Sequence, residues 1–474
     1  MMKKRFNILM LAFMLALNSC DKYLDNTPLP LSVIPSESLY QSDKLVASVV
    51  NGIFVSTTTA GAFSGPTFSD MVMVSGMYTD ELRNLVPGNN FDVFYKNNIR
   101  PENSPFWNDF YGKIYIANAA LEGIQSTSAN LQFKEQWLGE CYFMRAFLYY
   151  HLVNFYGGVP LAVTSDYSIN NRLLRSSEEL IFKQIIADLK LAKDLLSDGY
   201  RDGSGNSSTK RVRPNKAAAT ALLARAYLYA GQWQEAENEA TEVIQDANYV
   251  LEPLNKVFLA GSKEIIWSLA NGEPKTNAYF KAFNNGMPAV LTGNQTPGTF
   301  NIFGVITDQL YARFEPADER LNSWVRTVKA EASATRPETI YHLPNKYSSP
   351  VNDAELTVPL RLAEQYLIRA EARAHSNKNT AWDDLNMVRK RAGLGAIQTG
   401  DIMTAIAQER RVELFTESGH RFFDLKRTKQ IDEVMQNVSP LKQSNWKSYM
   451  ALWPIPNVDL FQNPNLTPNP GYGQ

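Results

Sequence analysis

The chain has 474 residues, of which 44% are hydrophobic and 20% charged, and its formal net charge is −1. A chain of this length forms one large domain or two to three ordinary ones and buries a sizeable core. Lys3, Lys4 and Arg5 account for three of the cations, so the chain from Cys20 onward has a net charge of about −4. This lack of a basic excess argues against nucleic acid as the partner.

The first twenty residues have the pattern of an export signal. After the three cations, residues 8–17 are free of charge and mostly apolar. A basic start followed by roughly 7–15 apolar residues is typical of a secretory signal peptide, and a spanning helix needs about 20. The run ends in LNSC (17–20), which resembles a bacterial lipobox. That resemblance implies a signal peptide over 1–19, cleavage before Cys20 and lipid on Cys20. The alternative is an exported protein with an accidental cysteine near the cut.

The cysteine content agrees with an anchor at Cys20. Cys141 is the second of the two cysteines. If Cys20 carries lipid, Cys141 has no partner, and the sequence predicts no disulfide framework. Cys141 lies in an apolar helical stretch and is predicted to be a small buried hydrophobic residue.

The first half of the chain has helical periodicity on both sides of an irregular stretch. Residues 20–36 contain Pro28, Pro30 and Pro35 and are predicted to be an extended tether. Apolar residues three and four apart predict the helices, whereas 56–105, rich in Gly, Asn and aromatic residues, is predicted to form functional loops. The predicted helices are 37–54, 107–124, 133–155 (stopped by Gly157) and 177–196.

Two later segments have the pattern of helical repeats. Residues 217–245 and 360–391 each contain two helical patterns with alanines at close-packing positions, as in tetratricopeptide repeats. A further helix is predicted over 402–418. The sequence thus predicts a mainly α fold, a tetratricopeptide-like repeat scaffold carrying an irregular, loop-rich ligand-binding region.

The predicted division has two parts beyond the tether. Residues 37–249 form an N-terminal region with helical repeats, and 250–474 form a C-terminal region. Within the latter, 250–359 is predicted to be a loop-rich insert with a strand at 264–269, and 360–430 contains the repeat helices. The tail, 450–474, is rich in proline and is predicted to be extended and fixed to the surface.

The sequence contains no distinctive catalytic pattern. The four histidines show no metal-ligand spacing, and no nucleophile elbow or phosphate-binding loop occurs. The acidic pairs Asp80-Glu81 and Asp318-Glu319 are candidates for a glycosidase, but such pairs are expected by chance among 48 acidic residues. The ERRVE run at 409–413 is predicted to form structural ion pairs. We therefore predict that the chain is not an enzyme and has no cofactor or metal.

Several blocks together resemble the SusD/RagB family of nutrient-binding outer-membrane lipoproteins from Bacteroidetes. They occur in family order and cover nearly the whole chain after Cys20. The blocks are RAFLYYHLV (145–153), FYGGVP (155–160), LRLAEQYLIRAEA (360–372), NMVRKRAGL (386–394), ERRVEL (409–414), GHRFFDLKR (419–427), LWPIP (452–456), NPNL (463–466) and NPGY (469–472).

The resemblance implies a role and a partner. It implies a non-catalytic lipoprotein, anchored in the outer membrane and facing the cell exterior, that binds a nutrient glycan. It also implies delivery of that glycan to a TonB-dependent (SusC-like) transporter, over which the protein lies as a lid. Some family members favour peptides, so a peptide or other nutrient remains an alternative ligand. A glycoside hydrolase is the alternative from another class.

The chemistry of sugars indicates where a binding surface lies. Sugar faces stack on exposed aromatic rings, and sugar hydroxyls bond to amides, carboxylates and guanidinium groups. Two loop regions, 80–107 and 277–303, have that composition. The candidate ligand-binding residues are Asp80, Arg83, Phe91, Tyr95, Asn97 and Asn98 in the first region, and Tyr279, Phe280, Phe283 and Asn285 in the second.

Overall fold

The structure, a computed structural model, describes residues 36–59, 61–65, 70–273 and 275–473. The predicted signal peptide, Cys20 and nearly all of the tether lie outside these residues. The helices of the first half are α1 (Asp43–Thr59), α2 (Met71–Tyr78), α3 (Asp92–Tyr95), α4 (Trp107–Ser126), α5 (Lys134–Tyr156), α6 (Tyr167–Asn170), α7 (Glu178–Leu195), α8 (Lys216–Tyr229) and α9 (Trp233–Gln245).

The second half contains shorter helices and most of the strands. Its helices are α10 (Ala278–Phe283), α11 (Asp308–Tyr311), α12 (Arg320–Trp324), α13 (Leu362–His375), α14 (Ala381–Arg391), α15 (Ile402–Glu413), α16 (His420–Arg427), α17 (Ile431–Val438) and α18 (Asn457–Gln462). The strands are β1 (Leu82–Asn84), β2 (Ile265–Leu269), β3 (Val290–Leu291), β4 (Gly304–Ile306), β5 (Val325–Ala330), β6 (Thr339–Pro344) and β7 (Thr357–Arg361). The fold is mainly α, as predicted.

In the part of the chain that the structure describes, the strands form three small sheets. Strand β1 pairs antiparallel with β4, and β2 pairs antiparallel with β7. Strand β5 lies between β3, to which it is parallel, and β6, to which it is antiparallel. The insert at 250–359 is therefore more regular than predicted, because strands too short to show a clear period are paired by tertiary contacts.

Helix α7 shows how the sequence determines such an element. The Ser177 hydroxyl accepts a hydrogen bond from the Leu180 amide at 3.3 Å and so caps the first turn. Ile181, Ile185 and Leu189 are all buried, since residues four apart lie on the same helix face. That face packs against α5, which is buried over most of its length and contains the buried Cys141.

The two predicted repeat units pack side by side. Gly231 turns the chain between α8 and α9 with a φ of 72°, in the left-handed region that favours glycine. Helix α9 then packs against α13 of the second pair, and Arg373 donates to Glu237 across this contact at 2.9 Å. These stacked pairs confirm the tetratricopeptide-like scaffold.

The ERRVE segment forms buried ion pairs, as predicted. Arg320 donates to Glu409 at 2.7 Å and to Glu413 at 2.8 Å. Glu413 also accepts from Arg361 at 2.6 Å and from Arg391. These contacts join α12, α14 and α15 to the end of β7 in one charged cluster.

The tail is fixed by hydrogen bonds to the end of α5. The Trp453 amide donates to the carbonyl of Phe155 at 2.8 Å. The side-chain amide of Asn469 donates to the carbonyls of Tyr156 at 2.9 Å and Trp453 at 2.7 Å. Within the described residues, no helix is both long and apolar enough to cross a membrane.

Candidate functional site

The two predicted loop regions meet on one surface. Strand β1 pairs with β4, which directly follows the second loop, and the Leu85 amide donates to the Phe303 carbonyl at 2.9 Å. The rings of Phe91 and Phe303 contact each other with centroids 5.8 Å apart. We call the surface formed by residues 82–98 and 277–303 the loop face.

Internal hydrogen bonds brace the first loop of this face. The Asn84 side chain donates to Asp92 at 2.7 Å and to Asn89 at 2.9 Å. Asp92 also accepts from the Gly88 amide at 2.7 Å and from Lys96 at 3.0 Å. Burial opposes the charge of Asp92, but the hydrogen bonds from Gly88, Lys96 and Asn84 hold its pKa below the ordinary value. The loop is thus held in one shape by its own side chains.

Five of the ten predicted binding residues face the interior: Asp80, Phe91, Asn97, Tyr279 and Phe283. Each of the three polar ones has an internal partner. Asp80 accepts from Arg411 and Arg421, the Asn97 amide donates to the Tyr78 carbonyl at 2.7 Å, and the Tyr279 hydroxyl donates to Asp70 at 3.1 Å. These five side chains pack in the interior and stabilise the scaffold. The candidate ligand-binding residues are therefore reduced to the other five.

The remaining five residues lie at the surface. Arg83, Asn98 and Asn285 are exposed, while Tyr95 and Phe280 are half-buried. Arg83 points outward because successive residues of a strand alternate sides, with Leu82 and Asn84 buried around it.

The charge of Arg83 is available to a ligand. Among the described residues, no side chain or carbonyl forms a hydrogen bond or ion pair with its guanidinium group. Tyr95 lies close enough for that charge to affect its pKa. Burial raises the pKa of the Tyr95 hydroxyl, and the positive charge of Arg83 opposes the rise. The Asn285 amide donates to the Phe300 carbonyl at 2.8 Å, which fixes this exposed side chain in place.

This set of groups suits a ligand rich in hydroxyls. A guanidinium group donates in a planar fork, amides both donate and accept, and ring faces cover apolar patches. Within the described residues, no group of three or more His, Cys, Asp or Glu side chains is placed to hold a metal ion.

Two of the four histidines, His151 and His420, and three of the four paired acidic residues, Asp80, Glu81 and Asp318, are buried. Burial lowers the pKa of His151 to about 3, and burial together with Arg225 and Arg410 lowers that of His420 well below its ordinary value. The Asp318 carboxylate accepts from Arg320 at 2.8 Å. Glu81 differs, because burial and the neighbouring Asp80 raise its pKa to about 7.

Three exposed aromatic residues of the described chain lie outside the loop face and were not predicted as binding residues: Tyr115, Tyr167 and Phe461, the last of which is 90% exposed. Tyr115 and Tyr167 have 53% and 73% of their surface exposed. Tyr115 could have been found from its position four residues after Tyr111 and eight after Trp107, on the same side of α4. Tyr167 lies in a short polar segment and has no comparable pattern.

The fold and this surface define a class of protein: a tetratricopeptide-like scaffold whose long loops form one polar and aromatic face. Two family models match the chain in succession. One, described as starch-binding associating with outer membrane, matches residues 22–228, and the other, described as SusD family, matches residues 262–472. The chain belongs to the SusD family, as predicted.

Similar proteins extend over the same length. SusD-like protein P2 of Formosa agariphila is 27% identical, and the match covers 99% of this chain and 100% of that protein. SusD-like protein P25 of the same organism is 25% identical, with 97% of each chain covered. Among solved structures, a laminarin binding SusD-like protein has a TM-score of 0.73 at 23% identity, covering 91% of this chain and 100% of that one. NanU of B. fragilis has a TM-score of 0.74 at 21% identity, covering 94% and 100%.

Proposed function

We propose that this protein binds a nutrient glycan at the loop face and delivers it to a TonB-dependent transporter of the outer membrane. The observation that carries the proposal is the exposed guanidinium of Arg83, which lies near Tyr95 on a braced loop and has no hydrogen-bond or ion-pair partner among residues 36–59, 61–65, 70–273 and 275–473. Exposed amides of Asn98 and Asn285 lie on the same face. A few placed polar groups among aromatic rings are the usual composition of a small-molecule site.

The relatives support a carbohydrate as the first ligand class to test. One matching family is described as starch-binding, and one protein of the same fold is described as laminarin binding. The ligands in those names are the ligands of those relatives. They make starch and laminarin reasonable first probes for this one.

The anchor and the partner belong to the same proposal. Cys20 follows a signal-like segment, and lipid on that residue holds the protein at the membrane. Several acyl chains are needed for stable anchoring, because each buried methylene contributes about 0.8 kcal/mol. A tether over 20–36 then leaves the helical body beside a transporter, facing the cell exterior.

The direct test uses residues 21–474, which contain every described element. The purified protein is run in native gels containing laminarin, soluble starch and other glycans, and the same mixtures are analysed for released sugars. We expect retarded migration in one glycan and no product. Binding of the protein to members of a peptide panel, without binding to any glycan, would favour a peptide ligand.

A glycoside hydrolase is the alternative from another class, and Glu81 is the observation that bears on it. A carboxyl with a pKa of about 7 suits a general acid. Such an enzyme needs a second carboxylate facing the ligand, and the neighbouring Asp80 is instead bound to two arginines. Product release that disappears in Glu81→Gln would establish the hydrolase and overturn the binding proposal.

A further inference from the structure

A second concave surface lies outside the loop face. It is a groove of about 260 Å³ between one side of α4, the short helix α6 and the tail helix α18. Residues 107, 111, 114, 115 and 118 form its α4 side, because residues three and four apart lie on one helix face. None of the residues that line this groove belongs to the loop face.

The groove combines an apolar floor with exposed aromatic rings. Trp107, Ile114 and Ala162 form part of the floor and are buried. Tyr115 and Tyr167 line the same groove and are largely exposed. Large exposed rings beside a concavity are unusual on a protein that needs them only for packing.

Two buried acceptors in the same groove have no donor among the described residues. They are Oδ1 of Asn170 and Oδ2 of Asp459. The Asn170 amide nitrogen is already used, since it donates to the Thr164 carbonyl at 2.7 Å. Burial raises the pKa of Asp459 overall, although a hydrogen bond from Trp107 to its carboxyl lowers it, and the Oδ2 atom itself still has no donor among the described residues. Buried polar atoms are nearly always paired, so these two oxygens point to a ligand that brings donors.

We propose that this groove is a second saccharide-binding site, in which a sugar ring contacts Tyr115 and Tyr167 and sugar hydroxyls donate to Asn170 and Asp459. A purely apolar ligand leaves both acceptors unpaired, and an anionic ligand is repelled by the Asp459 carboxylate. A sugar provides an apolar ring face and several hydroxyl donors at once.

The size of the groove limits the ligand. Its volume lies below the roughly 300–1,000 Å³ typical of sites for drug-sized ligands. It therefore takes a short stretch of glycan, such as a terminal disaccharide. Two separate sites on one protein hold a long glycan more tightly than either site alone, because the second contact becomes intramolecular.

Nitration of exposed tyrosines by tetranitromethane, read by mass spectrometry, tests this site and the loop face together. Residues 21–474 are treated with and without maltose, laminaribiose or cellobiose at saturating concentration. We expect at least one disaccharide to slow nitration of Tyr115 and Tyr167 about threefold or more, and to do so equally in Arg83→Ala. Tyr95 reports the loop face in the same experiment.

Two variants separate binding from folding. Tyr167→Ala changes a largely exposed side chain and keeps the fold, and Tyr115 then reports the groove. Asn170→Ala removes one acceptor. In each, we expect the disaccharide concentration that half-protects Tyr115 to rise about tenfold, with Tyr95 protection unchanged.

The proposal is overturned if no disaccharide protects Tyr115 or Tyr167 while Tyr95 is protected, a result that leaves the proposed function intact. It is also overturned if protection of these tyrosines is the same in both variants as in the unchanged protein. Protection of none of the three tyrosines contradicts the groove site and the glycan-binding proposal alike.

Discussion

Arg83 and Asp80 are three residues apart in the chain and have opposite roles. Asp80 lies in the interior, where the guanidinium groups of Arg421 and Arg411 overcome the effect of burial and hold its pKa well below the usual range. Arg83 points to solvent and has no partner among the described residues. Position in the fold, rather than residue type, therefore separates the side chain that holds the scaffold from the one that can meet a ligand.

The substitution Arg83→Ala tests that difference. We expect glycan affinity to fall about tenfold or more, because a hydrogen bond to a charged group contributes about 1.5–3 kcal/mol. The melting temperature should stay the same, since the guanidinium group forms no hydrogen bond or ion pair with any other residue that the structure describes. Affinity is measured by calorimetry with the glycan found in the gel panel. Lys210→Ala, which removes another exposed cation, is the control, and equal affinity in both variants would place the ligand elsewhere.

Glu81 predicts how stability depends on pH. Burial and Asp80 raise its pKa from 4.5 to about 7, although Arg421, Lys346 and Arg411 act in the opposite direction. The folded protein thus holds this proton more tightly than the unfolded chain. This tighter proton binding stabilises the folded protein. The stabilisation is fully present below about pH 4.5 and is lost as the pH rises through about 7.

Replacing Glu81 with Gln removes this titration. The melting temperature of Glu81→Gln minus that of the unchanged protein should be several degrees higher at pH 8 than at pH 5. Thermal unfolding at both values measures it, with the exposed Glu338→Gln as the control. A difference that does not change with pH would show that Glu81 is ionised in the folded protein throughout.

Among the elements, long periodic helices were predictable and their contacts were not. The pattern at 177–196 predicts α7 to within about one residue, because its cap and its buried face are both local in sequence. Helix α15 ends at Glu413, short of the predicted 418. Thr416 and Ser418 have φ values of 54° and 43°, and no local pattern indicates that these non-glycine residues leave the helix.

The charged cluster around Glu413 links elements that are far apart in sequence. Its carboxylate accepts from Arg320 and Arg361, and Arg391 also contacts it. Despite burial, Arg391, Arg361 and Arg320 hold the pKa of Glu413 far below its ordinary value. Glu413 shares these three buried guanidinium groups with other carboxylates, since Arg320 also pairs with Glu409, and Arg361 and Arg391 also pair with Glu264.

We expect Glu413→Gln to lower the free energy of unfolding by about 1.5–3 kcal/mol, the usual contribution of a hydrogen bond to a charged group, because each of the three arginines keeps another carboxylate partner. Urea denaturation measures this loss. Glu338→Gln is the matched control, because Glu338 pairs with Lys329 at 2.9 Å in an exposed ion pair that contributes little. Similar free energies for the two variants would show that the cluster does not need the Glu413 charge.

For the whole molecule, the sequence predicts the class of fold but not which loop residues share a surface. Composition selects two loop regions, and only the pairing of β1 with β4 in the structure shows that they are neighbours. It does not separate Asn97, whose amide bonds to the interior, from Asn98, which is exposed. Adjacent residues of one type differ only through tertiary packing, which a single sequence does not show.

Cys20 gives the last prediction, which concerns where the whole molecule is held. A chain extends at most about 3.3–3.6 Å per residue, so residue 36 lies no more than roughly 50–60 Å from a lipid on Cys20. We expect Cys20→Ser to release the protein from the membrane fraction and to abolish labelling by radioactive palmitate. Cys141→Ala is the matched control, because Cys141 is fully buried and free. It should stay in the membrane fraction and keep the label. Label that follows Cys141 instead, or a membrane-bound Cys20→Ser protein, would contradict the lipid anchor while leaving the loop face and the fold as they are.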